Sequence, residues 1–147
     1  MIGSVIILMA LSAPPLVRTR LPANESSAVG SVRTIITAQV TYAATYPEIG
    51  YAEELKAFQP PPAGESPNPH SADLTDPHLA GGEKSGYRFH LLLRSRKETG
   101  RVDGYVVLAR PLRYKRTGCL SLYADETGVI RRTFEDRLAT LNDPPLE

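Results

Sequence analysis

Between Asn24 and Tyr46, apolar residues fall at Ala28, Val29, Val32, Ile35, Ile36, Val40 and Ala43. Steps of three and four place them on one side of an α-helix. No proline interrupts this stretch, and Gly30 is its only glycine. Asn24 stands before it as a candidate N-cap, with Glu25 in the first turn, where a carboxylate suits the helix dipole. Pro47 ends it, because its ring clashes with a continuing helix. The pattern therefore predicts a helix over 24–46. A helix of this size is about 30 Å long, enough to carry a small domain on one side.

Downstream the period changes. Tyr51, Leu55 and Phe58 share a helical face and predict a short second helix or helical turn, stopped by Pro60-Pro61-Pro62. The stretch 59–85 is rich in Pro, Gly, Ser, Asp and His without periodicity; it reads as a long surface loop with a helical turn near Leu74 or Leu79. From Gly86 the period becomes two: Tyr87, Phe89, Leu91 and Leu93 alternate with Arg88, His90, Leu92 and Arg94, as in a half-buried strand. Turns at Lys97–Gly100 and Asp125–Gly128 set off further runs at Tyr105–Ala109 and Leu120–Tyr123, and Val129-Ile130 open a short last strand. Strands joined by short turns make an antiparallel meander over 86–132. The tail 138–147, with Pro144-Pro145, is expected to be irregular. One face of the sheet needs cover, and the long stripe is the only element able to supply it. The fold class is α+β: a long N-terminal helix packed on a three- or four-stranded antiparallel sheet, in one globular domain spanning 23–147.

Composition narrows the function. A net charge of +1 argues against a general nucleic-acid binder. A single cysteine, Cys119, rules out an intramolecular disulfide, so packing alone holds the fold. The segment 1–22 stands apart. Val5 to Leu11 is strongly apolar, but Pro14 and Pro15 end the run short of the ~20 residues a spanning helix needs. Three readings stay open: a short apolar segment that does not cross a bilayer, a signal peptide with Ala10, Ser12 and Ala13 as its small residues, or the tail of a longer apolar helix. The second lacks a Lys or Arg ahead of the apolar run. In the third, Arg18 and Arg20 sit at a headgroup-facing end.

Helix first and sheet after is an arrangement that resembles the type IV pilins and the type II secretion pseudopilins. The resemblance extends to the residues from Ala23 to Ile35, Thr37 to Tyr42, Pro14 and Arg18-Thr19-Arg20. It continues through Lys84-Ser85-Gly86-Tyr87, Gly104-Tyr105-Val106-Val107 and the run Tyr123 to Arg131, in the same order. It implies a non-catalytic subunit of a helical filament, held in the inner membrane before assembly and then part of a periplasmic or cell-surface filament. Its partners would be copies of itself or other pilins, together with the inner-membrane assembly machinery. Val29, Val32, Ile35, Ile36, Val40 and Tyr42 are the expected subunit-packing residues. Family members carry a basic leader followed by Gly-Phe-Thr-Leu-Ile-Glu; this sequence opens on Met1-Ile2-Gly3-Ser4 and shows neither. A start placed too far downstream, a degenerate copy, and a relative working off the filament are the competing accounts, and as written the export signal is incomplete.

Candidate chemistry is sparse. No cofactor is expected. Some pseudopilins hold calcium, and Asp103, Asp125 and Glu126 are the candidate oxygen donors here. His70, Asp73, Asp76 and His78 crowd one loop but match no zinc spacing. Gly81-Gly82-Glu83-Lys84-Ser85 lacks the glycine a phosphate loop needs before its lysine. Cys119 reads as a structural thiol, and no nucleophile, base and orienter come together, so no enzyme is expected. Arg94, Arg96, Lys97 and Arg101 flank one turn, and Arg110, Arg113, Lys115 and Arg116 the opposite link. They read as solvated strand ends that discourage stray pairing. The alternative is a binding module that holds DNA or an acidic partner on these rims.

Overall fold

A computed structural model describes the backbone of residues 2–146 and the side chains of residues 20–146. Helix α1 runs from Ile2 to Thr45, 44 residues or about 66 Å. It therefore starts far ahead of Asn24, and it passes through Pro14, Pro15 and Pro22, each of which removes one backbone hydrogen bond without ending it. Asn24 is thus no cap. Its Nδ2 donates to the Thr117 carbonyl at 3.0 Å, while the Glu25 carboxylate accepts from the Cys119 N–H at 3.1 Å. The far end lies where Pro47 puts it: Tyr46 N–H makes the last helical bond, to Tyr42 O at 2.8 Å.

Of the short helix or helical turn expected here, the chain forms the turn, a 3-10 turn over Leu55–Phe58. The stretch 59–85 is mostly irregular but holds a short helix α2, Pro77–Ala80, and a two-residue strand β1, Glu83–Lys84. Asp76 caps α2 by accepting from the Leu79 N–H at 2.9 Å. Then come β2 (Tyr87–Arg96), β3 (Val102–Pro111), β4 (Ser121–Asp125) and β5 (Arg131–Thr133). The sheet has five antiparallel strands in sequence order, not three or four. The extra one is β1, paired with Tyr87 and Arg88 only, too short to announce itself by periodicity. The last strand opens at Arg131, after Val129-Ile130: the turn closes at Gly128, φ 80°, whose N–H donates to Asp125 O at 3.0 Å, and the two residues behind it lie outside the ladder.

The inner face of the sheet carries Tyr87, Phe89 and Leu91 from β2, Tyr105, Val107 and Ala109 from β3, and Leu122 and Ala124 from β4. Against it lie Ala28, Val32, Ile35, Ala38 and Tyr42 of α1, with Leu55, Phe58 and Leu79 filling one end. Every residue of β4 is buried, so its outer face is covered as well. The described residues after β5 form no helix or strand of their own and are tied along that side. Arg110 pairs with Asp136, and Arg137 with Asp143 at 2.7 Å. Leu146 N–H reaches Ile130 O at 2.8 Å.

Among the described residues, Gln39 is the one fully buried polar side chain on the packed helix face. Its Oε1 accepts from the Ala52 N–H at 2.7 Å and its Nε2 donates to the Ala52 carbonyl at 2.9 Å. One amide thus satisfies both backbone groups of a buried residue and pins the chain leaving α1 back onto the helix.

Candidate functional site

The packed face of α1 steps through Ala28, Val32, Ile35, Gln39 and Tyr42. Val32, Ile35 and Tyr42 are thus sealed in the chain's own core and cannot face a neighbouring subunit, contrary to the sequence expectation. Burial raises the Tyr42 phenol above its ordinary range, with Tyr46 and Glu53 adding to the shift, and its hydroxyl donates to Pro69 O at 2.7 Å. Val29 and Ile36 are half-buried at the edge of the core, and only Val40, 61 % exposed, faces fully outward. The displacement has a simple cause. The true stripe passes through a polar residue, Gln39, so a count of apolar positions slides onto its neighbour Val40.

Beside Ile36 a groove of about 520 Å³ opens between Arg33 and Thr37 of α1, the turn Gly128–Val129–Ile130, and Pro145 and Leu146 of the tail. A second groove of about 350 Å³ lies on the other flank, between Arg33, Thr34, Thr37, Ala38 and Thr41 of the helix and Leu74. The outward helix ridge therefore stands between two hollows. This is the relief that a second helix meets when ridges pack into grooves.

The two cationic rims turn out unequal. Arg94 lies 3.3 Å from Asp125 and 3.1 Å from Glu126, Arg96 is paired with Glu53, and Arg110 with Asp136. Arg101 Nε donates to Pro47 O at 2.7 Å. Of that rim neither Lys97 nor Arg101 has a carboxylate partner among the described residues, but Arg101 is held on the Pro47 carbonyl and Arg94 and Arg96 are paired, so most of the first rim is already engaged within the chain. At the opposite end Arg113, Lys115 and Arg116 are exposed and make no ion pair among the described residues. They sit on a tight turn. Arg116 N–H and Thr117 N–H both donate to Arg113 O at 2.9 Å, and Lys115 takes the left-handed backbone at φ 67°. The bonds from Asn24 to Thr117 and from Cys119 to Glu25 fix this turn to the helix.

The calcium candidates are engaged otherwise. Asp125 is 2 % exposed and accepts from Thr127 Oγ1 at 2.5 Å, Thr127 N at 3.0 Å, Tyr123 Oη at 3.1 Å and Arg94. Burial pushes this carboxyl up, but those hydrogen bonds and the nearby guanidinium outweigh it and hold the group below the usual carboxylate range. Asp103 accepts from Ser95 Oγ at 2.7 Å. Asp76 pairs with Lys84 at 2.8 Å, and His70, Asp73 and His78 are exposed. Among the described residues no group of three His, Cys, Asp or Glu side chains converges on a common point. Cys119 is half-buried on the approach to β4. No helix among the described residues is long and apolar enough to cross a membrane. Set beside known protein families, curated proteins and solved structures, the chain matches none of them.

Proposed function

We propose that this chain is a non-catalytic structural subunit of a pilin-like filament, assembling with copies of itself or with similar chains. The observation that supports this reading is the division of α1. From Asn24 to Tyr42 the helix is committed to its own sheet, while ahead of Arg18 its sequence carries no Asp, Glu, Lys or Arg and is largely apolar. An apolar helical segment finds cover in neighbouring helices or in lipid. The outward face of α1, with Arg33 and Thr37 between the two hollows and the exposed Val40 beside them, is a second patch distinct from that segment. Contacts of one patch with a different patch propagate into an open helix when the rotation between copies does not close a ring. In this reading the inner membrane and its assembly machinery receive the subunit first, and the finished filament lies in the periplasm or at the cell surface.

The test is assembly of the full chain. Purified in detergent and then freed of it, the wild type should form filaments or large oligomers visible by negative-stain microscopy and sedimentation. Val40→Asp should reduce assembly while melting within about 2 °C of wild type, since an exposed change of this kind usually costs less than ~0.5 kcal/mol. A wild-type chain that stays monomeric at high concentration after detergent removal refutes the reading.

A further inference from the structure

We propose that the turn carrying Arg113, Lys115 and Arg116, together with Arg20, forms a basic collar around α1 that rests on an anionic lipid surface. Three observations converge on this placement.

First, the turn is fixed against the helix. Asn24 and Glu25 hold Thr117 and Cys119 at 3.0 and 3.1 Å, so the three cations lie beside α1 at the level where its described contacts with the sheet begin. Arg20 is exposed one helical turn before Asn24, on the same face, about 6 Å along the axis. Second, these cations are uncommitted. The arginines at the other sheet end are held by Asp125, Glu126, Glu53 and the Pro47 carbonyl, whereas none of these four makes an ion pair among the described residues. The nearest carboxylate on the helix, Glu25, is half-buried and bound to the Cys119 N–H. Third, the sequence on the side of the collar away from the sheet is apolar. The run Val5–Leu11 ends nine residues before Arg20, or about 13 Å of helix, close to the ~15 Å between the middle of a bilayer and its headgroups.

Leu112, 42 % exposed, flanks the turn, and Tyr114 within it lies under Lys115, whose Nζ is 5.8 Å from the ring centre. Cations interleaved with an exposed leucine and a tyrosine fit the headgroup layer, where one end of the surface is wet and the other apolar. Duplex DNA fits less well, because phosphates spaced along a rod call for a longer cationic track than one turn and offer nothing to the apolar run. The inference goes beyond the filament reading: a chain that never assembles would still show the collar, and one that assembles could lack it.

The experiment is flotation of the full chain with vesicles of phosphatidylcholine alone or with an increasing share of phosphatidylglycerol. Wild type should partition more strongly as the anionic share rises and should lose that increment with added salt. The variant Arg113→Ala/Lys115→Ala/Arg116→Ala should bind anionic vesicles about 100-fold more weakly than wild type, from roughly 1 kcal/mol for each cation at an anionic surface. It should keep wild-type binding to neutral vesicles, which reports the apolar segment alone, and an unchanged melting temperature, which shows that it folds. The proposal is overturned if the increment with anionic lipid is absent, or if the triple variant retains it. It is also overturned if a short DNA duplex binds wild type tightly and displaces it from anionic vesicles, which would make the turn a nucleic-acid surface.

Discussion

Replacing Gln39 with leucine keeps the size of the side chain and removes both bonds to Ala52. The Ala52 N–H and carbonyl would then be left at a residue only 2 % exposed, with nothing to replace an acceptor at 2.7 Å and a donor at 2.9 Å. Each buried backbone group left without a partner costs about 1–3 kcal/mol, and the leucine returns part of this through apolar contact. A net loss of about 3–4 kcal/mol is expected, or roughly 10–15 °C in melting temperature at this chain length. Differential scanning calorimetry measures it directly. Gln39→Glu separates the two bonds. Its carboxylate still accepts from the Ala52 N–H but faces the Ala52 carbonyl with no proton to give. Burial and that carbonyl raise its folded pKa above the unfolded value of about 4.3. The deficit relative to wild type is therefore full above the folded pKa and shrinks as pH falls through it, when the protonated acid donates to the carbonyl. Taking the difference from wild type at each pH cancels the other carboxylates. A Gln39→Leu protein melting within about 2 °C of wild type would refute the reasoning, as would a Gln39→Glu deficit that grows on acidification.

Two further outcomes follow from the same coordinates. A Cβ on Gly118 would run into the hydroxyl and ring of Tyr87, which is fully buried, donates to Leu120 O at 2.6 Å and cannot swing aside. Gly118→Ala should cost about 1–3 kcal/mol in chemical denaturation, and a neutral result would show that the approach is looser than it looks. Asp125 has a folded pKa held below its unfolded value, so its contribution to stability is present above about pH 4 and is lost as pH falls through the folded pKa. Asp125→Asn should lower stability at neutral pH and flatten the acid limb of the stability curve; an acid limb parallel to wild type would count against the assignment.

The elements set by local chemistry were legible in the sequence. A three-and-four step marks α1 from Ala28 onward, a two-residue alternation marks β2, and Pro47 marks the end of the helix. What escaped depends on distant partners. Asn24 looks like a cap until Thr117, 93 residues away, takes its amide. Gln39 looks outward-facing because hydropathy has no means of seeing a carbonyl and an N–H waiting at Ala52. The cationic rims were readable as charge, yet their use was not. Arg96 meets Glu53 at a separation of 43 residues, Arg94 meets Asp125 at 31, and Arg110 meets Asp136 at 26. Among the described residues of the two rims, Arg113, Lys115 and Arg116 remain together for an outside partner, with Lys97 alone at the other end, and that remainder is visible by subtraction alone.

The joint between Asn24–Glu25 and Thr117–Cys119 also governs how the molecule is made. Its two bonds span 93 and 94 residues, so they close a loop containing most of the chain. A ribosome must release nearly all of β4 before Val32 and Ile35 meet their lid, and at about 5–20 residues per second a greasy helix face is left in the open for roughly 5–20 seconds. Contacts of such long range make folding slow and leave the nascent chain prone to sticking. A holdase that shields the emerging α1 would raise the yield of soluble protein, whereas one acting only after release would arrive too late.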